Sequence, residues 1–118
     1  MIQGKVMPEF ITVEDKTIQV DREGYLEDLK DWSRDVAGCL ARQEGLALTE
    51  AHWEIIALLR DFHDESGLSP AMRILVRLVR GRLGPEKGNS HYLLRLFPDS
   101  PAKLAAKIAG LPRPTNCL

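Results

Sequence analysis

The sequence predicts a mainly α-helical fold. It reads as a small orthogonal helical bundle with a helix-turn-helix-like core, a short N-terminal β-hairpin and an extended, mobile C-terminal arm. Three observations predict this. Apolar residues recur at three- and four-residue spacing from Tyr25 to Ile108. Before them, residues 10–20 alternate apolar and polar. After them, the last eight residues hold two prolines, Pro112 and Pro114, which no helix tolerates in its interior.

In the hairpin, Ile11 and Val13 alternate with polar neighbours, Glu14-Asp15-Lys16 turns, and Ile18 and Val20 alternate again. A lone hairpin is marginal, so it must pack on the helices. Asp21-Arg22-Glu23-Gly24 is a turn. A first helix is expected from Tyr25, through Leu26, Leu29, Trp32, Val36, Cys39 and Leu40, to Gly45. Thr49 caps a second, which carries Trp53, Ile56, Leu59 and Phe62 to a stop at Gly67. Ser69-Pro70 starts a third, with the hydroxyl capping and proline in the first turn. Its stripe is Ile74, Leu75, Leu78 and Val79, and Gly81, Gly84-Pro85 and Gly88 break the chain. Tyr92, Leu93, Leu96 and Phe97 form a short fourth helix. Ser100-Pro101 repeats the cap-plus-proline start for a fifth, through Leu104, Ala105 and Ile108 to Gly110.

This gives two parts: a helical domain with its N-terminal hairpin over 1–110, and an arm over 111–118 with Gly110 as its hinge. In polyproline-like form the arm spans roughly 25 Å at about 3.1 Å per residue.

A chain of 118 residues holds one domain and is too short for a (β/α)₈ barrel. It lacks the long apolar run of a membrane span, and its first residues lack the apolar core of a signal peptide. A cytoplasmic protein without membrane partners is expected. The net charge of −1 hides an asymmetry. Residues 1–68 carry 7 Lys/Arg against 15 Asp/Glu, and residues 69–118 carry 9 against 2. The halves either cancel by packing together or leave a basic face for an anionic partner.

Two cysteines, Cys39 and Cys117, match no disulfide scaffold and no Cys-x-x-Cys pair. Cys39 falls on the apolar stripe of the first helix and reads as a core thiol. Cys117 is penultimate, on the arm, without apolar context. An exposed thiol in a reducing compartment is a liability unless it is used. A thiolate there can accept a sulfane sulfur and become a persulfide, which needs access more than a pocket. Arg113 favours that thiolate and the C-terminal carboxylate opposes it.

His52, His63 and His91 have no third ligand at metal spacing and read as surface or capping residues, so no metal or cofactor is expected. A histidine base meeting Cys117 in three dimensions stays open. Arg73, Arg77 and Arg80 fall on one face of the third helix. Arg73, Arg77, Lys87, Arg95 and Arg113 are candidate contacts to a protein partner or to RNA.

The residues also carry a resemblance. Asp21-x-x-Gly24-Tyr25-Leu26, His52-Trp53-Glu54, Arg60-Asp61-Phe62 and Ser69-Pro70-Ala71-x-Arg73 are four of its motifs. Lys87-Gly88-Asn89-Ser90-x-Tyr92-Leu93-x-Arg95-Leu96-Phe97-Pro98 and Pro101-Ala102-Lys103 follow. The last is Lys107-Ile108-Ala109-Gly110-Leu111-Pro112-Arg113-Pro114-x-x-Cys117. Together they resemble the DsrC/TusE family of small sulfur carriers, from about Phe10 to Leu118.

The resemblance implies a sulfurtransferase whose Cys117 bears a transient persulfide. One branch of the family carries a second cysteine where this chain has Lys107. A Cys–Cys link or trisulfide across the arm is therefore impossible here, and the chain is similar to the TusE-type branch. That branch implies a TusBCD-type donor, an MnmA-type tRNA thiouridylase as acceptor, and tRNA met only indirectly. The alternatives are a DsrC-like carrier or regulator in sulfur oxidation, and a helix-turn-helix nucleic-acid-binding module.

Overall fold

The computed structural model describes residues 9–114. A two-residue turn at Glu14-Asp15 folds strand β1 (Glu9–Val13) onto β2 (Lys16–Val20), antiparallel, with Lys16 paired to Val13 rather than in the turn. Glu14 adopts the left-handed φ of 56° that such a turn demands. Ile11 sits opposite Ile18, and both side chains are buried beneath the ladder. Alternation thus gives the hairpin one apolar face to lay on the helices.

The helices are α1 (Arg34–Gln43), α2 (Glu50–Ser66), α3 (Met72–Leu83), α4 (Ser90–Leu96) and α5 (Pro101–Ile108). α1 begins at Arg34, nine residues after the expected start. Local side chains capture the intervening backbone. The Asp21 carboxylate accepts the Glu23 and Tyr25 N–H groups at 2.9 and 3.0 Å, and Asp28 accepts that of Lys30 at 3.0 Å. Such bonds compete with helix and leave only a 3₁₀ turn at Leu29–Asp31. Ser33 then caps α1 by accepting the Val36 N–H at 3.2 Å.

Both serine-proline starts need correction. The cap of α3 is Ala71, and the Ser69 hydroxyl points elsewhere. Pro101 does sit in the first turn of α5, but Ser100 makes no capping bond. Gly81 lies inside α3, which runs on to Leu83 and ends at Gly84, φ 95°.

α5 is the hub: it touches every other helix. Ala102, Ala105, Ala106 and Ala109 let its backbone approach closely, and Ile108 is fully buried between them. Around it Leu40, Ile55, Leu59, Leu75, Val79, Leu93 and Phe97 complete the core. Cys39 is half-buried at the edge of that core rather than within it.

Candidate functional site

The thiol read as reactive, Cys117, lies outside the described residues, which end at Pro114. What the structure describes is the seat from which the arm leaves. The C-terminus of α5 builds it. Gly110 takes φ 74°, the Leu111 N–H donates to Ala106 O at 2.9 Å, and the Gly110 N–H donates to Lys107 O at 3.1 Å. These are the two bonds of a Schellman motif, and Leu111 is buried as the accompanying hydrophobic contact.

Helix ends leave carbonyls unpaired. Here the body supplies donors. Trp32 Nε1–H donates to Ile108 O at 2.9 Å, and Arg60 donates to Ala109 O at 2.6 Å. The Arg60 guanidinium also stacks on the Trp32 ring, 3.8 Å from its centroid. Burial pushes Arg60 below the ordinary arginine value, with Asp64 pulling it partly back. A cation at a helix C-terminus also meets the negative end of the dipole.

The next residues are held as well. The Ser69 hydroxyl donates to Pro112 O at 2.6 Å, which explains why it caps nothing. Arg113 donates to Asp21 Oδ2 at 2.9 Å, lies 3.3 Å from Glu23 and sits 5.1 Å over the Tyr25 ring. Pro114 is buried. The expected hinge, Gly110, is therefore a packed helix end, and Leu111–Pro114 lie against the body as a fixed stem. The sequence assigns none of Trp32, Arg60, Ser69 and Asp21 a role in holding the arm. Only their places in the quoted motifs marked three of them.

The five candidate contact cations separate. Arg73 and Arg77 are exposed side by side on α3, along a groove of about 420 Å³. Lys87 is paired with Glu54 at 2.8 Å, and that carboxylate holds its ammonium above the usual lysine range. Arg95 lies on α4 with its guanidinium 5.8 Å from the Tyr92 ring, and Arg113 belongs to the stem. Lys107, at the position of the family's second cysteine, is tied to Glu44 at 2.8 Å.

His52 is structural. Its Nδ1 lies 3.0 Å from the Thr49 N–H and 2.8 Å from the Thr49 hydroxyl, while Nε2 lies 2.8 Å from Leu96 O. The tautomer with hydrogen on Nε2 satisfies both ends. Its ring is buried edge-on against Phe97. With both nitrogens engaged, it is not placed to act as a base. Among the described residues no group of three or more His, Cys, Asp or Glu side chains could hold a metal. No helix there is long and apolar enough to cross a membrane.

Comparison with known proteins gives one answer. A family model described as "DsrC like protein" matches residues 12–118. The chain is 52% identical over 105 residues to "Sulfurtransferase TusE" of Pectobacterium atrosepticum, covering 89% of this chain and 96% of that one. It is 50% identical to the protein of the same name from Escherichia coli strain K12, with the same coverage. Among solved structures, the NMR structure of Allochromatium vinosum DsrC superposes with a TM-score of 0.87 at 50% identity, covering 95% of this chain and all of that one. The oxidized gamma-subunit of the dissimilatory sulfite reductase (DsrC) from Archaeoglobus fulgidus gives 0.82 at 38% identity, covering 93% of this chain and all of that one.

Proposed function

The chain belongs to the DsrC-like protein family, and on that premise we propose that it is a sulfur-relay protein: a sulfurtransferase that takes sulfane sulfur onto Cys117 and hands it on for 2-thiolation of the tRNA wobble uridine. The observation that carries this is half-identity, over nearly the whole chain, to relatives named sulfurtransferase. The match of the family model reaches through Cys117 to the last residue.

The chemistry is an exchange without net redox. The Cys117 thiolate attacks the terminal sulfur of a donor persulfide. A new S–S bond forms to Cys117, the donor's S–S bond breaks, and the donor leaves as a thiolate. Cys117 then holds the persulfide until an acceptor repeats the step in the same sense. The chain itself supplies a seated stem and a thiol three residues beyond it. The donor is a TusBCD-type complex, the acceptor an MnmA-type thiouridylase, and the compartment the cytoplasm. The body reads tRNA only through the acceptor.

A DsrC-like role in sulfur oxidation is the second reading, favoured by the likeness to DsrC structures. The thiol chemistry is the same. With Lys107 in place of the second cysteine, no intramolecular disulfide closes the cycle.

Intact mass after incubation with a sulfur donor tests the core of the proposal. Wild type should gain one sulfur atom, Cys39→Ser should gain it too, and Cys117→Ser should gain none. An adduct that survives Cys117→Ser refutes the assignment. Wobble-uridine thiolation in a strain lacking the protein separates the two pathways.

A further inference from the structure

Two grooves adjoin at Met72 and Ser90, and the second reaches Pro114, where the described chain ends. The first, about 420 Å³, is lined by Met72, Arg73, Val76, Arg77, Arg80 and Ser90. The second, about 320 Å³, shares Met72 and Ser90 and continues past Leu94 to Pro114. They form one track that starts at the arm stem and runs along α3. Its apolar side chains include Met72, Val76 and Leu94, and Leu94 is 42% exposed. One arginine row of α3 walls it. Arg80 is partly committed, donating to Gly88 O at 3.2 Å. Arg73 and Arg77 are exposed and form no ion pair among the described residues.

We propose that this track is where the sulfur-donating protein docks, and that it offers an acidic amphipathic segment there. The segment's apolar side chains cover Met72, Val76 and Leu94, and its carboxylates meet Arg73 and Arg77. This rests on the relay reading above and deepens it by naming a surface.

Position is the first argument. Cys117 follows Pro114 by three residues, so its Cα lies within about 10 Å of Pro114 however the chain runs. A donor's sulfur must come to that zone, and a donor seated on the track is already beside it. Charge is the second. Two arginines one helical turn apart, without an ion pair among the described residues, match two carboxylates one turn apart on a facing segment. The apolar lining is the third, and it separates protein from RNA. A phosphate backbone satisfies the arginines but leaves the apolar strip in water. A protein segment satisfies both.

The test is the rate of persulfide transfer from the purified TusBCD-type complex, read by intact mass against donor concentration. Arg73→Glu/Arg77→Glu should raise the half-saturating donor concentration by roughly tenfold or more, because reversed charges slow encounter. Leu94→Asp should raise it in the same direction without touching the arginines. Both variants should take sulfur from inorganic polysulfide at the wild-type rate, since that donor needs no docking. Unchanged half-saturation in both variants overturns the docking surface. Weakened tRNA binding with unchanged donor kinetics overturns it in favour of RNA. If wild type takes sulfur from polysulfide but not from the complex, the donor is misassigned and the proposal falls. If wild type takes none from polysulfide, the relay reading itself fails.

Discussion

α1 and α5 end in the same way and serve opposite purposes. Each closes on Gly-Leu: Gly45-Leu46 and Gly110-Leu111. Each glycine is left-handed, at φ 77° and 74°. Each end makes the same pair of bonds, Leu46 N–H to Ala41 O and Gly45 N–H to Arg42 O in α1, with their counterparts in α5. Around Gly45 there is open space. At Gly110 an added Cβ would overlap the Trp32 ring. One glycine is needed for a backbone angle alone, and the other for the angle and for closeness. Identical local chemistry ends one helix at the surface and fixes the other against the body, and only tertiary contact makes the difference.

Substitution separates the two ends most sharply at the glycines themselves. Gly110→Ala should destabilise by about 3 kcal/mol or more, adding steric overlap to the left-handed penalty. Gly45→Ala should lose only about 1 kcal/mol, from the backbone angle. Urea midpoints at constant slope measure both, and equal losses would break the comparison. Trp32→Phe is next. It keeps an aromatic face for Arg60 but leaves Ile108 O without its donor, at a cost of about 1–2 kcal/mol in thermal unfolding.

Ser69→Ala should cost about 1 kcal/mol by removing the Pro112 hydrogen bond. Its signature is local: faster amide exchange at Leu111 and Arg113, with α3 unchanged because Ser69 does not cap it. Arg113→Ala should cost a few tenths of a kcal/mol, since its ion pairs are half-exposed. That difference should vanish in high salt, and a loss that persists would point to stacking on Tyr25 instead.

Lys87 touches neither end and is the control. Its folded pKa is raised by Glu54. The associated stability is present below the unfolded lysine value near ~10.4 and fades as pH rises through the folded value. Lys87→Gln should remove that alkaline dependence and leave the α5 end untouched.

Much of the fold is legible from periodicity. The hairpin's alternation, α2 between Thr49 and Gly67, and the Pro101 start of α5 all follow from local rules. The failures have two causes, one local and one long-range. Leu26, Leu29 and Trp32 fit a helical stripe, yet Asp21 and Asp28 take the backbone N–H groups first. Ser69 and Ser100 look like caps, yet the Ser69 hydroxyl has a partner 43 residues away. The stem's anchors span still longer separations, 92 residues from Asp21 to Arg113. Two prolines announce an extended segment, but no local pattern says what it lies on. Neither the helical stripe that takes in Trp32 nor the motif that holds Arg60 says that α5 ends against them.

Seating the stem also changes the statistics of encounter. A tether of three residues from Pro114, rather than seven from Gly110, confines the thiol to a volume smaller by roughly three- to fourfold. Its local concentration beside a bound partner rises by the same factor. That is about 0.8 kcal/mol of chain entropy already lost in folding and so not lost again at each transfer. Bonds from Trp32, Arg60, Ser69 and Asp21 to the end of α5 and its stem thereby raise the effective molarity of a thiol three residues further along the chain.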